Sequence, residues 1–193
     1  MKSINKIVIS LLTCILFLTG CNNQSGPVTI TNPIDINYTE SDMSGYTWIG
    51  NEIADFKTIT IEEALRFFDE KGSGILYFGY VGCPWCERAV PILNQAALQT
   101  EVTIWYVDLG VSVEKDTYNK MVEALSPQMP KDEDGNDAFF VPFVMGIKNG
   151  KFTKSHCSLV NSFNLENDTD QMSDKEKEEL KQDYLDIIYA TKD

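Results

Sequence analysis

The run Ile75–Tyr80 (ILYFGY) leads within two residues into Cys83-Pro84-Trp85-Cys86, and a helix-patterned stretch follows. A continuous apolar segment of strand length suits a central strand covered on both faces. Pro84 fits the first position of the helix behind it, where its missing N–H costs nothing. Cys83 then falls at the helix N-cap, where unpaired N–H groups and the helix dipole stabilise a thiolate. First cysteines of such pairs ionise at roughly pH 3.5–7, against about 8.5 for a free thiol. Cys86 follows one helical turn later, within reach of a disulfide across that turn. In this arrangement Cys83 is the attacking sulfur and Cys86 the resolving one.

The flanking pattern extends this unit in both directions. Lys57–Thr60 has the weak alternation of a short strand, and Thr60-Ile61-Glu62-Glu63 is a capping box opening a helix. Ile61, Ala64, Leu65 and Phe68 repeat at helical spacing, and Gly72 and Gly74 end that segment. Pro84 to about Gln99 reads as helix, Val102–Val107 as a strand, and Tyr118, Met121, Val122 and Leu125 as another helix face. Phe139–Ile147 reads as a strand joined through the hairpin signal Asn149-Gly150 to Lys151–Leu159. Ser173-Asp174-Lys175-Glu176 is a second capping box, and Leu180, Tyr184, Ile187 and Ile188 give the last helix an apolar face. The order β-α-β-α-β-α-β-β-α predicts an α/β domain with a central mixed sheet flanked by helices. Within the strand at Phe139–Ile147, Pro142 is anomalous, because proline in a central strand removes a ladder donor. A cis Val141–Pro142 bond would account for it.

These residues resemble the thioredoxin-like superfamily. ILYFGYVGCPWCERAVPIL is similar to that family's strand, Cys-x-x-Cys and helix, with Pro91 eight residues after Cys83 at the place of a helix-kinking proline. VPFVMGIKNGK resembles the cis-proline strand and its hairpin, and the similarity covers roughly 56–190. The resemblance implies a thioredoxin fold with an insertion between the third strand and the cis-Pro strand, around Gly110–Ala138. It implies thiol–disulfide exchange through Cys83 and Cys86, with Pro84, Trp85, Val141 and Pro142 contacting an extended substrate segment. The chain also departs from the pattern. Tyr77 stands six residues ahead of Cys83, where such proteins bury an aspartate that takes the proton of the second cysteine. Glu87 and Asp108 are the nearest carboxylates in sequence. Pro-Trp between the cysteines is similar to the proline-first pattern of glutaredoxins and disulfide-forming enzymes, which places the potential between about −270 and −120 mV.

The N-terminus sets the compartment. Lys2 and Lys6 precede an apolar stretch from Ile7 to Leu18, a signal-peptide core too short to span a bilayer. It ends in Leu18-Thr19-Gly20-Cys21, which resembles the lipobox of bacterial lipoproteins. The expectation is a signal peptide over 1–20, lipidation at Cys21, a flexible polar tether over 21–45 and the folded domain over 46–193. Within the superfamily this start looks most like small thioredoxin-like lipoproteins, among them the bacteriocin-transport accessory proteins of Gram-positive bacteria. The location implied is extracytoplasmic, on the outer face of the bacterial membrane, where disulfides persist.

Composition narrows the partners. With 16 basic and 29 acidic residues the formal charge is −13, which opposes binding to nucleic acid. Protein thiols or disulfides outside the cytoplasm are the expected substrates, with a further membrane redox partner not encoded in the chain. No cofactor or metal is required for this chemistry. A zinc site from Cys83, Cys86, His156 and Cys157 is disfavoured, since adjacent strand residues point to opposite faces. Cys157 reads as a core filler, and Asp132–Asp137 as a solvated acidic loop whose ligand positions do not fit calcium. The competing function is a non-catalytic thioredoxin-fold module that binds a secretion or transport partner.

Overall fold

The computed structural model describes residues 26–193. The expected signal peptide, the lipidation site Cys21 and the first residues of the tether lie outside them. The described residues form a mixed α/β unit with a six-stranded sheet in the order β1-β2-β4-β3-β5-β6. The strands are β1 (Thr39–Glu40), β2 (Phe56–Ile59), β3 (Gly74–Gly79), β4 (Ile104–Asp108), β5 (Phe143–Lys148) and β6 (Lys151–Cys157). The helices are α1 (Ile61–Asp69), α2 (Pro84–Thr100), α3 (Lys115–Leu125) and α4 (Asp174–Thr191). β2, β4 and β3 run parallel, whereas β1, β5 and β6 pair antiparallel to their neighbours.

Every residue of β3 is buried, as its unbroken apolar sequence requires of a strand covered on both faces. Ile75 and Tyr77 face α2 and α4, together with Ile104, Tyr106 and Val144. Leu76 and Phe78 face the α1 and α3 side with Val107, Phe143 and Met145. The period of two along each strand thus feeds two separate cores. Of the two expected capping boxes, Ser173 and Glu176 cap each other reciprocally, whereas Thr60 accepts the Glu63 N–H but the Glu63 carboxylate is taken by Asn37 and Arg66. Asn149 and Gly150 carry φ of 51° and 76°, the left-handed pair that a two-residue hairpin demands.

Two expectations need correction. Residues 28–45 are not a flexible tether. Val28 donates its N–H to the Thr100 carbonyl at 2.8 Å, β1 adds an edge strand to β2, and Ile36 and Met43 are buried. Val28, Ile30, Ile34 and Ile36 turn inward at a period of two, the first two against the α2 and α4 core and the last two against the α1 and α3 core, while the alternate residues between them are exposed. The packed unit therefore begins near residue 28 rather than at 46. The strand expected from Phe139 begins instead at Phe143, after Pro142, which cannot donate to the ladder. Phe139 packs edge-on against Phe78 and Phe143. Between β4 and β5 the chain supplies α3, a 3₁₀ turn at Ser126–Gln128 and a loop closed on the Asp132 carboxylate.

Candidate active site

Cys83 is the N-cap of α2, with φ −73° and ψ 119°, and Pro84 takes the first helical position. Gly82 precedes it at φ 89°, a left-handed backbone that the turn from β3 into α2 requires. The Cys83 carbonyl accepts the first helical hydrogen bond, from Glu87 N–H at 2.9 Å. Both cysteines are free thiols and both are buried. Cys83, 3% exposed, forms part of the wall of an open groove of about 760 Å³, whereas Cys86 is fully enclosed.

The electrostatics separate the two sulfurs. A hydrogen bond from the Cys86 thiol lowers the Cys83 pKa to about 6, against the opposing effect of burial. The Cys86 and Trp85 backbone N–H groups and the Tyr80 hydroxyl add to that lowering. Cys86 moves the other way, because it donates to Cys83, is desolvated and faces the developing Cys83 charge. Cys83 is thus set to ionise first, and the fully enclosed Cys86 keeps its proton.

The groove beside Cys83 is lined by Trp85, Phe140, Val141 and Phe163, with Ser158 and Asn161 adding polar edges. Trp85 is 44% exposed, and Tyr80, Val81 and Phe140 are exposed around it. The Val141–Pro142 peptide is cis. Val141 lines the groove, while Pro142 is buried and its carbonyl accepts the Ser158 N–H at 2.8 Å. The structure therefore brings Cys83, Pro84, Trp85 and Val141 to one groove and leaves Pro142 out of its lining.

Several residues around the pair hold positions that the sequence pattern does not signal, and Glu87 is placed otherwise than its nearness to Cys86 in sequence suggests. Glu87 is buried, and its two oxygens accept the Gly82 N–H at 3.1 Å and the Thr47 N–H at 2.8 Å. Arg88 is also buried: it donates to the carbonyls of Pro84, Asp168 and Asp170 and stacks over Trp48 at 4.7 Å. These two side chains fasten the segment around Thr47 and the loop before α4 to the first turn of α2. Behind Cys86, Tyr77 stacks on Tyr106 at 5.1 Å, and Tyr46 joins both through its hydroxyl. Of this cluster only Tyr77 departs from the resembled sequence pattern.

Neither a protein-family model nor a curated protein matches the chain. His156 and Cys157 lie on opposite faces of β6. The His156 Nδ1 is 3.2 Å from the Asp183 carboxylate and its ring meets Tyr184, whereas Cys157 packs into the other core. Burial pushes the Cys157 thiol up to about 11, so it stays protonated at neutral pH. Among the described residues no helix is long and apolar enough to cross a membrane.

Proposed function

We propose that this chain is a thiol–disulfide oxidoreductase of thioredoxin fold, held at the outer face of a bacterial membrane through a lipid on Cys21. The observation that carries the activity is the opposed ionisation of Cys83 and Cys86 within one helical turn, beside an open apolar groove. The order of strands and helices, the cis Val141–Pro142 bond and the Cys-Pro-Trp-Cys motif at a helix start support the fold reading. The basic start, apolar core and Leu18–Cys21 string support the anchor.

The Cys83 thiolate attacks a substrate disulfide along its S–S axis, forming a mixed disulfide and releasing one substrate sulfur as thiolate. Cys86 then loses its proton and attacks the Cys83 sulfur. The pair becomes a disulfide, and the second substrate sulfur leaves. Substrate gains two electrons and the pair loses two; the reverse sequence oxidises a dithiol. Trp85 and Phe140 bind apolar side chains flanking the reacting cysteine, and the Val141 backbone pairs with an extended substrate segment. The redox partner that restores the pair is a second membrane-associated thiol protein.

The deciding experiment measures Cys83 alkylation against pH, together with the potential of the pair and turnover of a model disulfide. A Cys83 pKa near 6 with turnover supports the activity. Alkylation that titrates near 8.5, without turnover, replaces it with the non-catalytic binding module.

A further inference from the structure

We propose that the hydroxyls of Tyr77, Tyr46 and Tyr106 form a relay that carries the Cys86 proton to the carboxylate of Asp108. The proposal rests on the thiol–disulfide reading and names how its resolving step is driven without a buried aspartate. Tyr46 is the hub, with its hydroxyl 3.1 Å from that of Tyr77 and 3.2 Å from that of Tyr106. At one end the Tyr77 hydroxyl lies within electrostatic reach of the Cys86 thiol, and at the other Tyr106 lies within reach of Asp108, two residues on along the same face of β4; the hydrogen bonds already closed are the two at Tyr46.

The backbone explains why these groups converge. Tyr77 and Tyr106 are directly opposed in the β3–β4 register, as are Gly79 and Asp108. A Cβ on Gly79 would lie 2.0 Å from the Tyr77 hydroxyl, so the Tyr77 ring extends along β3 over a residue that has no side chain. The hydroxyl thereby reaches the strand end where Cys86 and Asp108 also lie. Asp108 is half-buried at the end of β4 and accepts the Gly110 N–H at 2.8 Å, which gives the path an outlet near the surface.

Other titratable groups around Cys86 do not serve this purpose. Both Glu87 oxygens on α2 are engaged by backbone N–H groups. Tyr184 on α4 is fully buried, and its hydroxyl has no hydrogen-bond partner among the described residues. Tyr80 interacts with Cys83. Burial holds Tyr46, Tyr77 and Tyr106 above the usual phenol range, so each hydroxyl remains protonated and can donate and accept at once.

In the mixed disulfide the Cys86 S–H bond breaks and its proton passes to the Tyr77 oxygen. Tyr77 gives its own proton to Tyr46, Tyr46 to Tyr106, and Tyr106 to the Asp108 carboxylate. The Cys86 electron pair forms the new bond to Cys83 sulfur, and the substrate sulfur leaves as thiolate. Every hydroxyl is regenerated, and Asp108 later releases the proton to water.

The test mixes reduced mature protein with one equivalent of the aromatic disulfide 5,5′-dithiobis(2-nitrobenzoate). Release of the first coloured thiolate reports Cys83 attack, and release of the second reports resolution by Cys86. The expected result is that Tyr46→Phe and Asp108→Asn each slow the second phase at least about tenfold, within the range of a general-base contribution. The first phase should stay within about twofold of wild type, and the double variant should be no slower than the slower single, as one shared path requires. A second phase within about twofold of wild type in Asp108→Asn overturns the relay, whatever Tyr46→Phe does. Absence of a fast first phase in wild type overturns the underlying activity instead. Near-UV circular dichroism checks that Tyr46→Phe is folded; Asp108→Asn is isosteric at a half-buried position and decides the matter alone if it is not.

Discussion

Glu87 accepts a hydrogen bond from the Thr47 backbone N–H at 2.8 Å, while its second oxygen takes the Gly82 N–H at 3.1 Å. This carboxylate therefore joins the N-terminal segment to the turn that presents Cys83. Proximity in sequence makes Glu87 a candidate acceptor for the Cys86 proton, but both its oxygens are committed to backbone N–H groups. Glu87→Ala leaves two N–H donors without their partner and should cost roughly 1.5–3 kcal/mol in urea unfolding of the reduced protein. Glu87→Gln keeps one acceptor and should recover part of that loss. If Glu87→Ala unfolds at the wild-type midpoint, the carboxylate does not hold the turn.

The segment before residue 46 should behave as part of the folded unit. Met43 is buried to 2% exposure, so Met43→Ala should destabilise by about 2–5 kcal/mol, as for other buried methionine truncations. A residue in a solvated tether would cost nothing. Limited proteolysis should correspondingly spare 28–45. Rapid cleavage between β1 and Tyr46 would return that segment to a tether.

The sequence carried the central parts of this architecture because those parts obey a period or a local rule. Ile75–Phe78 alternate between two cores, Thr60 and Ser173 cap helices through their own side chains, and Pro84 marks a helix start. The missed features depend on contacts distant in sequence. Arg88 reaches carbonyls about 80 residues away, and Tyr46 meets Tyr106 across 60. Neither pairing leaves a local trace. The segment 28–45 does leave one, since Val28, Ile30, Ile34 and Ile36 alternate with exposed residues, but its polar composition and Pro33 mask that period. Tyr77 is legible only as a departure from the aspartate of the resembled pattern.

Ionisation of Cys83 should couple to stability with a defined sign. Its pKa is about 6 when folded and about 8.5 in an unfolded chain, so between those values the unfolded state binds more protons. The stabilisation is fully present above about pH 8.5 and is lost as pH falls through about 6. Relative to Cys83→Ser, reduced wild type should gain stability from pH 6 to 8.5. Above about pH 8.5 the trend should reverse, because Cys86, raised by its bond to Cys83 and by burial, keeps in the folded state a proton that the unfolded chain releases. Urea midpoints of both proteins measured from pH 5.5 to 10 check this at roughly half-unit steps. A difference that is flat across the lower window would mean that Cys83 has an ordinary thiol pKa.

Gly79 is the residue that lets a tyrosine occupy position 77. An added Cβ would stand 2.0 Å from the Tyr77 hydroxyl and 2.5 Å from the ring carbon that bears it. β3 is buried throughout and the Tyr77 ring is stacked on Tyr106, so the side chain has no free direction in which to move. Gly79→Ala should therefore destabilise by at least about 1–3 kcal/mol, as overpacking does in a filled core. Tyr77→Phe should not rescue it, since the ring carbon remains at the same short distance. Tyr77→Leu, which removes the outer ring, should relieve the clash and make the Gly79→Ala cost smaller than in wild type. A double-mutant cycle in urea measures that coupling. Equal costs of Gly79→Ala in the Tyr77 and Leu backgrounds would show that the glycine serves the backbone and not the tyrosine.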